Sequence, residues 1–410
     1  MKYVIIGNSA AGIAAAEEIR ARDKEGEVVF LSDEKYPVYG RPLISYYLLG
    51  ATDRERMNYR SPDFYEKNNF SFRPGTRAEK IDAQAKEVLL SGGEKIKYDK
   101  LLVATGSRPF TPPIAGLEKV KKRFSFMTLD DALSLEKALA GKKKRVFILG
   151  AGLIGLKCLE GIADRANGVA VADMAGHILP SILDEAGAAV VQRTLGAHGA
   201  EFYLNDSVAE FEENAALLKS GKRVPFDVLV TAVGVRPNTE LVKEAGGQVR
   251  RGIVIDDHMR TSLPDVYAAG DCAESRDIVS GEYRILALLP NARFQGRCAG
   301  ADMAGGDEAF DTAFAMNAIG FFGTHVLTAG CYDGEEYTEA EGDTYKKLFI
   351  GDNVLNGFIL VNEPECAGIY TDLIRRRAPL SEVDFALLEK APQLRAFSAK
   401  ARAGMLAKEV

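Results

Sequence analysis

Two glycine-rich segments have the residue types and spacing that bind the pyrophosphate group of a dinucleotide. They lie 143 residues apart, each after a short apolar run. The first comprises Gly7, Ser9, Ala10, Ala11 and Gly12, and the second Gly150, Gly152, Leu153, Ile154 and Gly155. Glycine lets the chain turn sharply and lets its backbone approach a phosphate, while the following helix offers free N–H groups. A single copy could be a turn without a ligand, but the pair predicts two dinucleotide sites.

Each glycine segment is followed by a second apolar run that ends in a carboxylate. Residues 28–31 lead to Asp33 and Glu34, and residues 169–172 lead to Asp173. A carboxylate there accepts hydrogen bonds from the hydroxyls of an adenosine ribose, although a solvated strand end is the alternative. Because the three residues after Asp173 include no Arg or Lys to receive a 2′-phosphate, the sequence favours NADH over NADPH.

A second pair of similar segments closes each unit. Residues 104–109 and 232–237 both read Ala-x-Gly-x-Arg-Pro. Ala104, Thr105, Gly106 and Arg108 belong to the first copy and Gly234 to the second. Strand, glycine turn, helix and this closing segment thus occur twice, which predicts an α/β fold with two Rossmann-like dinucleotide-binding domains.

Composition excludes several classes of protein. The chain has 410 residues with a net charge of −6, so nucleic-acid binding through bulk positive charge is not expected. No apolar run is long enough to cross a membrane, and the run before Gly7 is too short for a signal peptide, which favours a cytoplasmic protein. The five cysteines and four histidines are scattered, so neither a disulfide scaffold nor a metal site is indicated.

A third motif connects the repeat to flavin chemistry. Residues 268–272 read Ala-Ala-Gly-Asp-Cys, and a helix-like segment follows at about residues 291–303. With the glycine segments and Ala-Thr-Gly, this order resembles the pyridine nucleotide–disulfide oxidoreductases along essentially the whole chain. The resemblance implies a glutathione-reductase-like FAD/NAD(P) fold, with Gly270 and Asp271 at the ribityl chain of FAD. It also implies that the helix beginning with Asn291 and Ala292 stabilises negative charge on the reduced flavin.

The resemblance also implies a domain order. Residues 1–112 and 237–315 would form the FAD-binding domain, and residues 113–236 the inserted NADH-binding domain. Residues 316–410 alternate strand patterns with turns and then become helix-like, which predicts a smaller α+β C-terminal domain. In relatives this domain covers the flavin and often forms a dimer interface, so a monomer and a homodimer both stay open.

The redox cysteine of the disulfide reductases is absent from the segment that would carry it. The first cysteine of the chain is Cys158, and Leu43 stands where relatives place theirs. The Tyr-x-Arg-Pro-Leu segment around Arg41 and Pro42 instead resembles the branch that passes electrons onward. That branch includes NADH:rubredoxin oxidoreductases, ferredoxin reductases and the flavin domain of nitrite reductase. Arg41 and Pro42 are therefore expected at the cofactor.

The expected activity is hydride transfer from NADH to flavin N5, followed by electron transfer to a small acidic carrier. A rubredoxin-like carrier is the first expectation and a ferredoxin-like carrier the second. The arginine run at residues 375–377 suits an acidic partner, although such runs are also ordinary solvated surface. The alternatives are an NADH oxidase, the flavin component of a nitrite or other inorganic reductase system, and a redox-sensing NADH-binding flavoprotein.

One departure from the family pattern concerns Lys157. Many relatives pair a lysine in the first segment with a glutamate two residues after the second glycine motif, near flavin N5. Here the matching positions hold Tyr46 and Lys157. The hypothesis is that Lys157 supplies the positive charge that stabilises an anionic flavin after hydride transfer. The alternative is a surface lysine with an apolar stem.

Overall fold

The computed structural model describes residues 1–406. The chain divides into two compact units, and each is assembled from separate stretches of sequence. Unit 1 comprises Met1–Phe110, Met127–Leu129 and Val235–Ala313. Unit 2 comprises Thr111–Phe126, Asp130–Gly234 and the chain from Phe314 onward.

Unit 1 is built around a parallel sheet. Its strands lie in the order Val266–Ala268, Lys100–Val103, Lys2–Ile6, Glu27–Leu31 and Phe70–Arg73. The three central strands, Lys100–Val103, Lys2–Ile6 and Glu27–Leu31, are rich in Val, Ile and Leu and are largely buried on both faces, as is typical of parallel strands. The chain begins in the middle of the sheet and proceeds to both sides, which opens a crevice at the carboxyl end of Lys2–Ile6.

Two helices of unit 1 pack very closely. The helix Ala10–Arg22 follows the first strand, Lys2–Ile6. The helix Leu289–Met303 packs against Ala10–Arg22, and Gly296 lies at the contact. A Cβ atom on Gly296 would lie 2.1 Å from the carbonyl oxygen of Ala11, so only glycine allows this approach. The helix begins two residues before the predicted start at Asn291, because Leu288 is its N-cap and Pro290 stands in its first turn, where proline costs no hydrogen bond.

The two copies of the Ala-x-Gly-x-Arg-Pro motif pair with each other. Ser107–Pro109 and Val235–Pro237 form an antiparallel ribbon in which Arg108 lies opposite Arg236. The other strands of unit 1 form small sheets: Ala78–Asp82, Glu87–Leu90 and Lys95–Lys97 in one, and Ile253–Val254, Ala273–Arg276 and Tyr283–Arg284 in another. Its short helices are Leu43–Leu49, Phe64–Lys67 and Glu240–Glu244.

Unit 2 contains a second parallel sheet. Its strands lie in the order Ala200–Tyr203, Ala166–Ala172, Lys144–Leu149, Val228–Thr231 and Arg123–Phe124. The helices of this part are Leu129–Leu139, whose first residue belongs to unit 1, Leu153–Ile162 and Glu185–Ala197. A small antiparallel sheet joins Val208–Glu212, Ala215–Leu218 and Arg223–Pro225. With its parallel sheet and glycine turn, this part repeats the plan of unit 1.

The C-terminal part of unit 2 is an antiparallel sheet followed by helices. The strands lie in the order Met316–Phe321, Thr324–Gly330, Val354–Val361, Thr344–Gly351 and Glu335–Glu341, and the helices are Ala367–Arg376, Phe385–Lys390 and Ala399–Leu406. Across residues 1–406, no helix has the length and apolar character required to cross a bilayer. The predicted fold class, two Rossmann-like domains and an α+β C-terminal domain, is confirmed.

Candidate dinucleotide-binding sites

The first glycine segment forms a turn that no other residue type fits. Gly7 ends the strand Lys2–Ile6 with a φ of +121°, and a Cβ atom there would lie 2.0 Å from the carbonyl oxygen of Ala104. A Cβ atom on Gly12 would lie 2.2 Å from the carbonyl oxygen of Gly7. Ser9 is the N-cap of the following helix, but its hydroxyl makes no capping bond. The N-terminus of the helix and this hydroxyl are therefore available to an anion.

The second glycine segment repeats this geometry in unit 2. Gly150 has a φ of +112°, and a Cβ atom there would lie 2.3 Å from the carbonyl oxygen of Ala232. A Cβ atom on Gly155 would lie 2.1 Å from the carbonyl oxygen of Gly150. Gly152 is the N-cap of the helix Leu153–Ile162. The sequence repeat is thus a structural repeat, with each glycine constrained by the same kind of contact.

A cavity of about 760 Å³ opens beside the first turn in unit 1. Most of the residues predicted at the first dinucleotide line it: Gly7, Ser9, Ala10, Ala11, Asp33, Glu34, Arg41, Ala104, Thr105, Gly106, Arg108, Gly270, Asp271 and Ala292. Three predicted residues do not line it, for local reasons. Gly12 packs against the backbone of Gly7, Pro42 is the N-cap of Leu43–Leu49, and Asn291 is buried within the first turn of its helix.

Asp271 is a carboxylate in the wall of this cavity. Burial raises its pKa, and the nearby Arg41 guanidinium and the Ser107 hydroxyl act in the opposite direction. A carboxylate removed from water is stabilised by a hydrogen-bond donor. A cofactor hydroxyl in the cavity would be such a donor, so the position fits the predicted contact with a ribityl chain.

Of the two acids at the end of the second strand, Glu34 is already engaged by the protein. Its carboxylate accepts hydrogen bonds from the Tyr39 hydroxyl at 2.6 Å and from the Arg41 guanidinium at 2.5 Å. Asp33 is exposed at the cavity and makes no ion pair within residues 1–406. Asp33 is therefore better placed to accept a ribose hydroxyl, and Glu34 instead holds Arg41 in the cavity wall.

Sequence reasoning missed a second wall of the cavity. This wall consists of Thr76, Arg77, Ala78 and Glu79 together with Asn238, Glu240, Leu241 and Glu244. The side-chain amide of Asn238 donates to the backbone carbonyl of Thr105 at 2.8 Å. The backbone carbonyl of Asn238 accepts a hydrogen bond from the Thr105 hydroxyl at 2.7 Å. No motif marks these residues. The one available signal was that Asn238 directly follows the second Ala-x-Gly-x-Arg-Pro copy.

Asp173 is fixed beside the second glycine turn. Its carboxylate accepts hydrogen bonds from the N–H of Ala151 at 2.7 Å and from the N–H of Ala175 at 2.9 Å. Met174, the residue between Asp173 and Ala175 in the sequence, has a side chain that is 76% exposed. Asp173 thus holds a negative charge at the carboxyl edge of the sheet, and a neutral, accessible side chain follows it. Gly234, which is also predicted at this site, follows the strand Val228–Thr231 and has a φ of +104°.

Lys157 is part of a buried polar cluster in unit 2. Its ammonium group forms an ion pair with Glu160 and donates to the carbonyl of Gly320 at 3.1 Å. Glu160 in turn accepts a hydrogen bond from the N–H of Phe322 at 2.8 Å. Sequence reasoning did not identify Glu160, which offsets the charge of Lys157. The role of Lys157 near flavin N5 stays a prediction, now with a known counter-ion.

Comparison with known proteins gives the family. Residues 1–296 match the model described as pyridine nucleotide-disulphide oxidoreductase, and the chain belongs to this family. The epsilon subunit of NADH-dependent phenylglyoxylate dehydrogenase from Aromatoleum evansii is 32% identical, over 93% of this chain and 93% of that subunit. The NAD(P)H nitrite reductase of Bacillus subtilis is 30% identical over 93% of this chain, which spans only 48% of that protein.

A solved structure extends the likeness to the complete fold. NADH:rubredoxin oxidoreductase from Clostridium acetobutylicum has a TM-score of 0.76 and 26% identity, over 92% of this chain and 95% of that one. The predicted family is therefore confirmed, and two of the three kinds of protein named for the Tyr-x-Arg-Pro-Leu segment, the NADH:rubredoxin oxidoreductases and nitrite reductase, are among these similar proteins. The chain is an oxidoreductase that uses a flavin and NADH.

Proposed function

We propose that this protein uses FAD to move electrons from NADH to a small acidic electron carrier. The observation that carries the proposal is the repeated glycine turn, one copy beside the unit 1 cavity and the other beside Asp173. We assign FAD to the first and NADH to the second. The Ala-Ala-Gly-Asp motif supports this order, because Gly270 and Asp271 line the cavity of the first turn.

The choice of FAD over a flavin mononucleotide rests on the extent of the unit 1 cavity. Its lining runs from Asp271 and Ala292, past the glycine turn, to Asp33 and the wall around Thr76. A flavin ring near Ala292 would leave the Asp33 end of the cavity empty unless an adenosine occupied it. The turn at Gly7 lies between these ends, where the pyrophosphate of a dinucleotide belongs.

Bound FAD would supply the redox chemistry, because it accepts two electrons as hydride and releases them singly. The residues of this chain bind and orient it. Arg41 presents a cation to the cavity, the N-terminus of Leu289–Met303 brings its positive dipole end to the same wall, and Asp271 accepts a hydroxyl. No reactive cysteine is required, and Leu43 occupies the position where disulfide-reducing relatives carry one.

The acceptor is inferred from two facts. The segment that would carry a redox cysteine contains none, so electrons leave the flavin directly. The structurally similar Clostridium protein is named for reducing rubredoxin, an iron protein of small size. A rubredoxin-like or ferredoxin-like carrier is therefore the acceptor that we propose.

A second candidate function is that of an NADH-oxidising flavin subunit within a larger complex. The likeness to the phenylglyoxylate dehydrogenase subunit favours it, because that match covers 93% of both chains. In such a complex the acceptor would be a redox centre of a neighbouring subunit. Both candidates share the same flavin and NADH sites and differ in whether the carrier is free or bound.

An anaerobic titration with NADH, followed by visible absorbance, tests the proposal. The purified protein is expected to show a flavin spectrum that one equivalent of NADH bleaches, and oxidised rubredoxin added next is expected to be reduced within the mixing time of a hand-mixed assay. A bleached flavin with rubredoxin and ferredoxin both still oxidised would favour the subunit function. A protein that cannot be reconstituted with FAD would overturn both.

Substitution of Lys157 tests its predicted charge effect. Lys157→Ala is expected to slow the reduction of the flavin by NADH about tenfold, because hydride transfer leaves negative charge that a fixed cation stabilises. Lys157→Arg keeps the charge and is expected to retain most of the rate. Stopped-flow absorbance measures both.

The control for that experiment is Glu160→Gln. This change removes the counter-ion but keeps an acceptor for the N–H of Phe322. The rate should not fall in Glu160→Gln if the positive charge of Lys157 is what matters. Equal losses in Lys157→Ala and Glu160→Gln would show that the cluster is only structural.

A further inference from the structure

The helix Leu289–Met303 has an outer face that combines apolar and basic side chains. Leu289 is 45% exposed and Phe294 is 44% exposed, and Arg293 and Arg297 are exposed beside them. The opposite face of the helix packs on Ala10–Arg22 through Gly296, and this contact fixes which side chains of the helix face outward. Exposed aromatic and arginine side chains on a rigid helix are typical of protein-binding surfaces.

The N-terminal half of this face is positively charged. Arg293 makes no ion pair within residues 1–406, whereas Arg297 lies 3.5 Å from the carboxylates of Glu18 and Glu308. Asp302, the only acid of the helix, is buried and bound to Arg260. The helix dipole adds positive potential at the same end. In a chain with a net charge of −6, this is a local reversal of sign.

The same end of the helix borders the proposed flavin cavity. Leu289 and Ala292 line the cavity, and Arg293 and Phe294 follow directly in the next turn. Phe294 stacks on Phe310 with ring centroids 5.5 Å apart, which holds its ring in one position. A protein seated on Leu289, Arg293 and Phe294 would therefore lie against the edge of the cavity, where direct electron transfer over a short distance is feasible.

We propose that Leu289, Arg293 and Phe294 form the docking surface for the electron carrier, and that the carrier presents carboxylates around an apolar patch. This proposal rests on the proposed function. Arg293 would pair with a carboxylate of the carrier and speed the encounter, while Leu289 and Phe294 would bury the apolar contact. A one-electron carrier suits this site because its metal centre then approaches the flavin cavity without a mobile intermediary.

The arginine run at residues 375–377 is the rival surface. Two of its three side chains are already engaged within unit 2, since Arg376 forms an ion pair with Asp372 and Arg377 donates to the Asn356 side chain at 2.9 Å. Arg375 lies over the ring of Phe314. The ion pair offsets one of the three charges, and the other two contacts hold their guanidinium groups against unit 2, so the helix face around Arg293 is the less encumbered surface.

The test compares Arg293→Glu and Phe294→Ala with the matched control Arg375→Glu. Carrier reduction is measured with oxidised rubredoxin, and binding to rubredoxin is measured separately by calorimetry at low and high salt. Arg293→Glu is expected to lower kcat/KM for rubredoxin and its affinity about tenfold and to weaken their salt dependence. Phe294→Ala is expected to lower both about fivefold. Arg375→Glu should change them less than about twofold.

Flavin content and the stopped-flow rate of reduction by NADH separate this proposal from the proposed function. Both should be unchanged in all three variants, because none of these residues binds a nucleotide. A larger loss in Arg375→Glu than in Arg293→Glu would overturn the docking surface and leave the proposed function standing. A wild-type protein that NADH bleaches but that neither binds nor reduces rubredoxin or a [2Fe–2S] ferredoxin would also overturn it. A protein that NADH does not bleach would overturn both.

Discussion

Gly12→Ala is expected to yield a folded protein without flavin. The added Cβ atom would lie 2.2 Å from the carbonyl oxygen of Gly7. That oxygen is backbone and has no side-chain freedom, so the helix Ala10–Arg22 must move away from the strand and carry its N-terminus away from the phosphates. Absorbance at visible wavelengths measures the flavin content of the purified protein, and near-native far-ultraviolet circular dichroism verifies the fold.

Gly155→Ala makes the same change in the second copy and is expected to have the opposite phenotype. Its Cβ atom would lie 2.1 Å from the carbonyl oxygen of Gly150, yet the residue belongs to unit 2. The protein should keep its flavin spectrum, while the second-order rate of flavin reduction by NADH should fall by at least about a hundredfold.

Gly196→Ala is the control for both substitutions. Gly196 is the next-to-last residue of the helix Glu185–Ala197, and a Cβ atom there meets nothing within 4 Å. Alanine is a better helix former than glycine, so stability should not fall and neither nucleotide site should change. If Gly12→Ala kept its flavin while Gly155→Ala lost it, the assignment of the two nucleotides would be reversed. If both variants behaved like Gly196→Ala, neither turn would bind a nucleotide.

The two turns could be predicted because their requirements are local. Gly7 and Gly150 adopt positive φ angles. At Gly12 and Gly155 a side chain would clash with the carbonyl oxygen of the residue five positions earlier. Both requirements occur in the two segments at the same spacing. Apolar runs and glycine positions express these demands directly in the sequence. The same holds for the closing Ala-x-Gly-x-Arg-Pro copies, although their mutual pairing became visible only in the structure.

The rest of the site depends on contacts between distant segments. Asp33 and Glu34 are equivalent by sequence, but only the position of Arg41 and Tyr39 shows that Glu34 is engaged. Glu160 likewise gains its role from Lys157 and from Phe322, 162 residues further along the chain. The start of the helix Leu289–Met303, two residues before Asn291, could have been predicted from the sequence, because proline is favoured in the first turn of a helix and Pro290 stands there.

Preference for NADH is expected to be reversed by combining Asp173→Ala with Met174→Arg. Asp173 places a carboxylate next to the second glycine turn, where it would repel the 2′-phosphate of NADPH. Removing it and adding an arginine at the exposed neighbouring position supplies a bidentate partner for that phosphate. The ratio of kcat/KM for NADPH to that for NADH is expected to rise about a thousandfold, measured as the rate of flavin reduction.

The single substitutions show how much of the change in preference comes from removing the Asp173 carboxylate and how much from adding an arginine at position 174. Asp173→Ala alone should raise the NADPH rate and lower the NADH rate, because the ribose loses its acceptor; it also frees the N–H groups of Ala151 and Ala175. Asp173→Asn is the milder control, since it removes the charge and keeps an acceptor for one of those groups. Met174→Ala should leave the preference unchanged. If the double variant still preferred NADH, Asp173 would be holding only the turn, and the NADH site would lie elsewhere.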